Sequence, residues 1–212
     1  MQERTNKNTR KRHARRPTIC VYCGSNSGKD PAYVATARAL GRQMAEAGVG
    51  LVYGGGGLGL MGEIARAVLA HNGHVTGIIP EFLSKKERML RAADELIVVK
   101  DMHVRKQLMF DKSDAFVALP GGIGTLEELV EQLTWAQLGR HNKPIVLLNA
   151  KGFWAPFLSL LQHMSREQFI RPDMDVRFIT VDNAEAVLPA IAAANQRVPD
   201  REPDDAEITQ KF

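Results

Sequence analysis

Leu119-Pro120-Gly121-Gly122-Ile123-Gly124-Thr125-Leu126-Glu127-Glu128 decides how this chain is read, because a glycine-rich turn there joins two differently patterned segments. Before it, residues 114–119 form a short apolar run of strand length. After it, residues 125–138 repeat apolar side chains at helical spacing, with Leu126, Leu129, Val130 and Leu133 on one face. The order is strand, loop, helix, so the glycines lie at a helix N-terminus. Free N–H groups and the positive end of the helix dipole make an anion site there, and glycine lets a phosphate approach the main chain. Thr125 is placed to cap the helix and to add a hydroxyl.

The loop has neither the lysine of a Walker A sequence nor the spacing of the dinucleotide fingerprint. Two glutamates follow it instead. A carboxylate one turn beyond a phosphate cradle would repel a second phosphate, but it suits a site that stabilises positive charge or activates water. Glu127 and Glu128 also admit a plainer reading, as acids favoured by the dipole of a first helical turn.

Outward from this turn, strand-length apolar runs alternate with helical patterns. Strands are expected at 18–23, 50–53, 74–79, 95–99, 115–119, 145–148 and 177–180, and helices at 31–47, 60–71, 102–112, 125–138, 153–166 and 183–194. Runs that are apolar throughout and separated by helices belong in a parallel sheet covered on both faces. The expected fold is α/β, a Rossmann-like doubly wound sheet. In such sheets ligands bind at the carboxyl ends of strands beside a topological switch point. Three glycine-rich turns fall at strand ends: Gly24-Ser25, the run 54–57 that contains Gly55 and Gly56, and the turn 120–124. Their convergence would build a phosphate and sugar site, although a tight turn that allows helix packing explains 54–57 equally well.

The chain has 212 residues, 44% of them hydrophobic, which is enough for one sizeable core. Residues 17–198 are expected to form a single nucleotide-binding catalytic domain. The basic balance sits mainly in residues 1–16, which carry a net +6 against −2 for the remainder. No aromatic interleaves those cations to stack on bases, so the segment reads as a solvated tail and no nucleic-acid partner is expected. Residues 199–212 read as a second, acidic tail. Two cysteines are too few for a disulfide framework and fit a reducing compartment. With neither an apolar stretch of about 18 residues nor a signal-peptide core, no membrane partner and a cytoplasmic location are expected.

Cys20 and Cys23 have the C-x-x-C spacing of redox and metal sites, but residues three apart in a strand face opposite ways. No second cysteine pair or histidine cluster completes a ligand set, so both are expected in the core and no metal is expected. The helix at 102–112 is apolar most of the way round: Met102 and Met109 share one face, and Val104 and Leu108 another. Arg105 and Lys106 flank the methionines. A cation beside a buried surface needs a partner or a polar cavity, unless it snorkels to the helix edge.

Four motifs together resemble one known family. The run 120–128 fills P-G-G-x-G-T-x-x-E; Cys23-Gly24-Ser25 fills a C-G-S turn after the first strand; 53–56 and 59–62 fill Y-G-G-G-x-x-G-L-M-G; and 102–106 fills M-H-x-R-K. This pattern, which extends over most of residues 17–195, resembles the "lonely guy" family of cytokinin-activating phosphoribohydrolases. The resemblance implies hydrolysis of the N-glycosidic bond of adenosine-type nucleoside 5′-monophosphates, yielding free base and ribose 5-phosphate with no cofactor.

Taken with the glycine turns, the resemblance implies a substrate site built from Gly24, Ser25, Gly55, Gly56, Met102, Arg105, Lys106, Gly121, Gly122, Ile123, Gly124, Thr125, Leu126 and Glu127. It adds Glu87, seven residues after Pro80, and Thr134, before Trp-Ala-Gln. Arg105 and Glu128 are the expected catalytic residues. Thr134, Glu127 and Glu131 share a polar stripe compatible with one ligand-facing strip, and solvent exposure is the plain alternative for all three. Val104 stands where many relatives carry a polar residue.

Proteins with this motif sometimes carry the label lysine decarboxylase. Nothing around the lysines marks a Schiff-base residue. A nucleotide-sensing module without turnover is the alternative outside catalysis. A homodimer is expected as well. With Leu126, Val130 and Leu133 taken as the core side, Trp135 falls opposite, near the direction of Glu128, where an exposed tryptophan would be typical of an interface. The resemblance also implies dimers with sites at the junction.

Overall fold

A computed structural model describes residues 15–84, 89–170 and 176–197. Seven strands form one sheet: β1 (Thr18–Tyr22), β2 (Gly50–Tyr53), β3 (Val75–Pro80), β4 (Glu95–Val99), β5 (Ala115–Ala118), β6 (Ile145–Leu148) and β7 (Ile179–Val181). Their order is β4-β3-β2-β1-β5-β6-β7, and all pairings are parallel. The helices are α1 (Pro31–Glu46), α2 (Gly59–Ala70), α3 (Glu81–Ser84), α4 (Met102–Asp111), α5 (Ile123–Gln137), α6 (Ala155–Arg166) and α7 (Val187–Arg197).

The all-apolar strands require cover on both faces, and the helices supply it. Ile19 and Val21 of β1, and Cys23 just beyond its end, enter one core with Leu40 and Met44 of α1, Leu60 and Ile64 of α2, and Ile191 of α7. Cys20 and Tyr22 enter the other core with Met109 of α4, Leu129 and Leu133 of α5, and Trp154. The expected doubly wound fold is therefore present, and the two cysteines face opposite sides as strand geometry requires. Burial pushes both thiols well above their ordinary value. Both are neutral core residues.

The sheet grows away from β1 in two directions, through α1 to β2 on one side and, after β4 and α4, to β5 on the other. That reversal opens a crevice at the carboxyl ends of β1 and β5. Caps hold the helices that border it. Asp30 accepts from the Ala32 N–H at 2.8 Å, with Pro31 in the first turn of α1. Asp101 accepts from the Val104 N–H at 2.9 Å to start α4.

Three local expectations are corrected. Helix α5 begins at Ile123 with Gly122 as its cap and no side-chain bond, so Thr125 does not cap it but lies inside the first turn, buried. The inward face of α5 is Thr125, Glu128, Leu129, Gln132 and Leu133, whereas Val130 is 41% exposed. The reason is rotational: the buried stripe is centred between the 125/129 and 128/132 rows, which turns position 130 outward. The chain also forms α3 and two 3₁₀ turns, Ala150–Gly152 and Ala184–Ala186, each too short to leave a periodic signal. Of the proposed tails, only Arg15 and Arg16 fall among the described residues, where Arg15 pairs with Asp114.

Candidate functional site

The three glycine turns meet because β1 is flanked by β2 and β5. The Gly24 N–H donates to the Pro120 carbonyl at 3.0 Å, and the Met61 N–H donates to the Gly24 carbonyl at 3.3 Å. The first turn is thereby tied to both the third turn and the start of α2. Beside these ties lies a cavity of ≈ 280 Å³, lined among others by Gly24, Ser25, Gly121, Gly122, Tyr33 and Phe153. The two rings meet edge to face, 5.9 Å between centroids.

A glycine cap leaves the first N–H groups of α5 without a side-chain acceptor, so Ile123, Gly124 and Thr125 present them at the positive end of the helix. Gly121 is needed for this. A Cβ there would overlap the Thr125 side chain, which tucks beneath the loop.

Behind the loop, Arg105 of α4 and Glu128 of α5 form an ion pair with 2.8 Å between Nη2 and Oε1. Arg105 is 8% exposed and Glu128 7%. The second glycine turn makes room for the guanidinium, since a Cβ on Gly54 would lie 2.5 Å from Arg105 Nη2. Met102 places its sulfur 3.7 Å from Nη1, and Nε has no hydrogen-bond partner in the protein. The cation predicted to need a partner has one, and it lies on the buried side of its helix rather than at the edge. Burial raises the Glu128 carboxyl above its ordinary value; Arg105 opposes this rise, while Glu127 and Glu131 add to it. The geometry supplies a carboxylate that is poorly hydrated and held by a cation.

Lys106 is engaged differently. Its Nζ lies 2.6 Å from Glu127 and 2.8 Å from Glu131. Burial works against its charge, but the hydrogen bonds to the two carboxylates outweigh that and raise its ammonium above the ordinary value. Arg105 and Lys106 thus divide three glutamates between them.

The other predicted positions are spread around this centre. Gly55 has a left-handed φ of 78°, and Gly56 bridges to Met89. Ser25 lines the cavity, Leu126 is partly buried against the α4–α5 core, and Ile123 is 82% exposed. Thr134 is exposed and returns its hydroxyl to the Val130 carbonyl at 2.8 Å. The polar strip of Glu127, Glu131 and Thr134 is therefore divided, with Lys106 drawing off the two acids. Glu87 lies outside the described residues.

Trp135 is not the bare surface expected. Phe110 meets its ring edge-on at 5.2 Å, and the Arg140 guanidinium lies 4.4 Å above it. The same chain covers it, through Phe110 and Arg140. Tyr33, Phe153 and Gln132 join the site region with no signal in sequence spacing, because each arrives from a different element, whereas Met61 belongs to the 59–62 run. Among the described residues no cluster of metal-ligating side chains occurs.

The family model described as "possible lysine decarboxylase" matches residues 61–191. The chain is 43% identical over 194 residues to a cytokinin riboside 5′-monophosphate phosphoribohydrolase of Arabidopsis thaliana, covering 92% of this chain and 86% of the relative. A protein of that name from Oryza sativa subsp. japonica is 49% identical over 162 residues, 76% of this chain and 67% of the relative. One from Rhodococcoides fascians is 46% identical over 180 residues, 83% of this chain and 91% of the relative.

Among solved structures, the Moco carrier protein of Chlamydomonas reinhardtii matches with a TM-score of 0.65 at 22% identity, covering 87% of this chain and 100% of that chain. The molybdenum cofactor binding protein of Rippkaea orientalis matches with a TM-score of 0.64 at 24% identity, covering 85% and 98%. At those identities the structural matches speak for the fold alone. The sequence matches cover the glycine turns, the Arg105–Glu128 pair and nearly all of the sheet, and by them this chain belongs to the cytokinin riboside 5′-monophosphate phosphoribohydrolase family.

Proposed function

We propose that this protein hydrolyses the N-glycosidic bond of adenosine-type nucleoside 5′-monophosphates, with AMP and its prenylated cytokinin forms as the substrate class. The observation that carries the reading is the buried Arg105–Glu128 pair directly behind a glycine-capped helix N-terminus. The N–H groups of Ile123, Gly124 and Thr125, with the Gly121-Gly122 loop and Ser25, take the 5′-phosphate. The ribose then lies toward Glu128. As the C1′–N bond breaks, its electron pair leaves with the base, and positive charge spreads over C1′ and the ring oxygen. The Glu128 carboxylate stabilises that charge or takes the proton of the attacking water, as carboxylates do in glycoside hydrolysis. Water oxygen bonds to C1′, and the proton it gives up to Glu128 is passed to the departing base nitrogen, so the base leaves neutral and Glu128 returns to its ionised form. Arg105 holds Glu128 ionised and orients the nucleotide. Gly24, Gly55, Gly56, Met102 and Leu126 shape the walls, and Lys106 fixes Glu127 at the rim.

Lysine decarboxylation would need pyridoxal phosphate on a lysine able to present a neutral amine. The lysine at this site does not fit, since Lys106 is held as an ammonium between two carboxylates. A second copy of the chain is the fitting partner. Ile123 and Val130 form an exposed apolar row on α5, and α6 buries none of its side chains completely while Leu160 and Met164 stay exposed. We place the enzyme in the cytoplasm, in keeping with two free buried cysteines. Among the described residues no helix is long and apolar enough to cross a membrane.

Incubation of the purified protein with AMP tests the reading. Free adenine and ribose 5-phosphate in equal amounts are expected. Tight AMP binding without adenine release would instead leave a sensing module, and carbon dioxide from lysine would overturn the assignment.

A further inference from the structure

Gln132 is completely buried, yet neither its amide nitrogen nor its amide oxygen has a protein partner. A core keeps such a group only where ordered water or a functional neighbour satisfies it, because an orphaned amide is costly. Gln132 lies one helical turn after Glu128 on the inward face of α5. Side chains of a helix lean toward its N-terminus, so this amide leans toward the turn that carries Glu128. Its backbone is pinned as well: the Gln132 carbonyl accepts from His141 Nε2 at 3.3 Å, and His141 Nδ1 accepts from the Lys143 N–H at 3.1 Å.

The surroundings of Glu128 limit what else can satisfy its carboxylate. Arg105 takes Oε1. Lys106 is committed to Glu127 and Glu131 and favours the Glu128 charge only from a distance, while both of those acids repel the Glu128 carboxylate. From β1 and the residue that follows it come Cys20, Tyr22 and Cys23, all neutral, with the Cys20 thiol and the Tyr22 hydroxyl engaged with each other.

We propose that Gln132 is a positioning residue for Glu128: its amide N–H donates to a water, and that water donates to the carboxylate oxygen that Arg105 leaves free. The inference rests on Glu128 being the reacting carboxylate. The bridge favours the ionised form and fixes the angle at which the carboxylate faces C1′.

The test is Gln132→Met, similar in volume and without the N–H, with Gln132→Leu as a second variant should the first not fold. Protonation of Glu128 is read directly as the infrared carboxyl band that vanishes in Glu128→Gln. The midpoint is expected to rise by about one pH unit, which lowers kcat about tenfold within the acid limb while KM for AMP stays within about twofold. An unchanged midpoint in a folded variant overturns the proposal. Because the infrared band needs no turnover, its outcome stands apart from whether the wild type releases adenine.

Discussion

Arg105 and Glu128 approach to 2.8 Å from two different helices while each is more than nine-tenths buried. Removing one partner of such a pair leaves an uncompensated charge, so the two residues depend on each other more than on any third group. Glu128→Gln is expected to keep AMP affinity, because the amide preserves shape and still accepts from Arg105. Turnover should fall on the order of a hundredfold or more, as for removal of a transition-state electrostatic group. Arg105→Ala should weaken both binding and rate. Calorimetry alongside adenine release separates the two, and near-native turnover in Glu128→Gln would move catalysis elsewhere.

Gly54→Ala tests whether the second glycine turn serves the site rather than mere chain reversal. The added methyl would lie 2.5 Å from Arg105 Nη2 and 3.1 Å from Met61 Sδ, displacing the guanidinium from Glu128. A displacement of that size should cost on the order of a hundredfold in kcat/KM. A crystal structure or kinetics that match the wild type would assign Gly54 to packing alone.

Glu63 offers a pH test on the far side of the same turn. On α2, it reaches Arg38 of α1 at 2.6 Å and Arg66 of its own helix at 2.7 Å, and Arg66 in turn donates to the Gly57 carbonyl at 2.9 Å. Burial works against its charge, but the two arginines outweigh it and lower its carboxyl below the ordinary value. A depressed folded-state value contributes stability above the unfolded value, and that contribution is lost as pH falls through the folded one. Glu63→Gln should therefore melt below the wild type at neutral pH, with the gap closing in acid. A gap independent of pH would show that the pair contributes through packing.

Val130→Glu addresses the assembly. Val130 is 41% exposed on α5, two turns from Ile123. Light scattering should find the wild type as a dimer and the variant as a monomer with reduced turnover. A monomeric wild type would sink the dimer. Trp135 is the wrong probe, since Phe110 and Arg140 already cover it and its loss would damage the monomer.

Much of this protein was determined by its sequence alone. Apolar runs such as Ile145–Leu148 can only be buried on both faces, which dictates parallel strands between helices. Glycines after β1, β2 and β5 mark the turns that meet at the carboxyl ends of adjacent strands, and strand alternation separates Cys20 from Cys23 without any coordinates. The tertiary structure decided what periodicity leaves open. Leu126, Leu129, Val130 and Leu133 define a helical face to within a turn of the wheel, but the neighbours of α5 set the rotation that buries Glu128 and exposes Val130. Hydropathy ranks Arg105 among the last residues to enter a core. It is buried because Glu128, 23 positions later, meets it there, and Gly54 leaves space for it. Such pairing depends on distances between elements, whereas sequence patterns report only the preferences of each element alone.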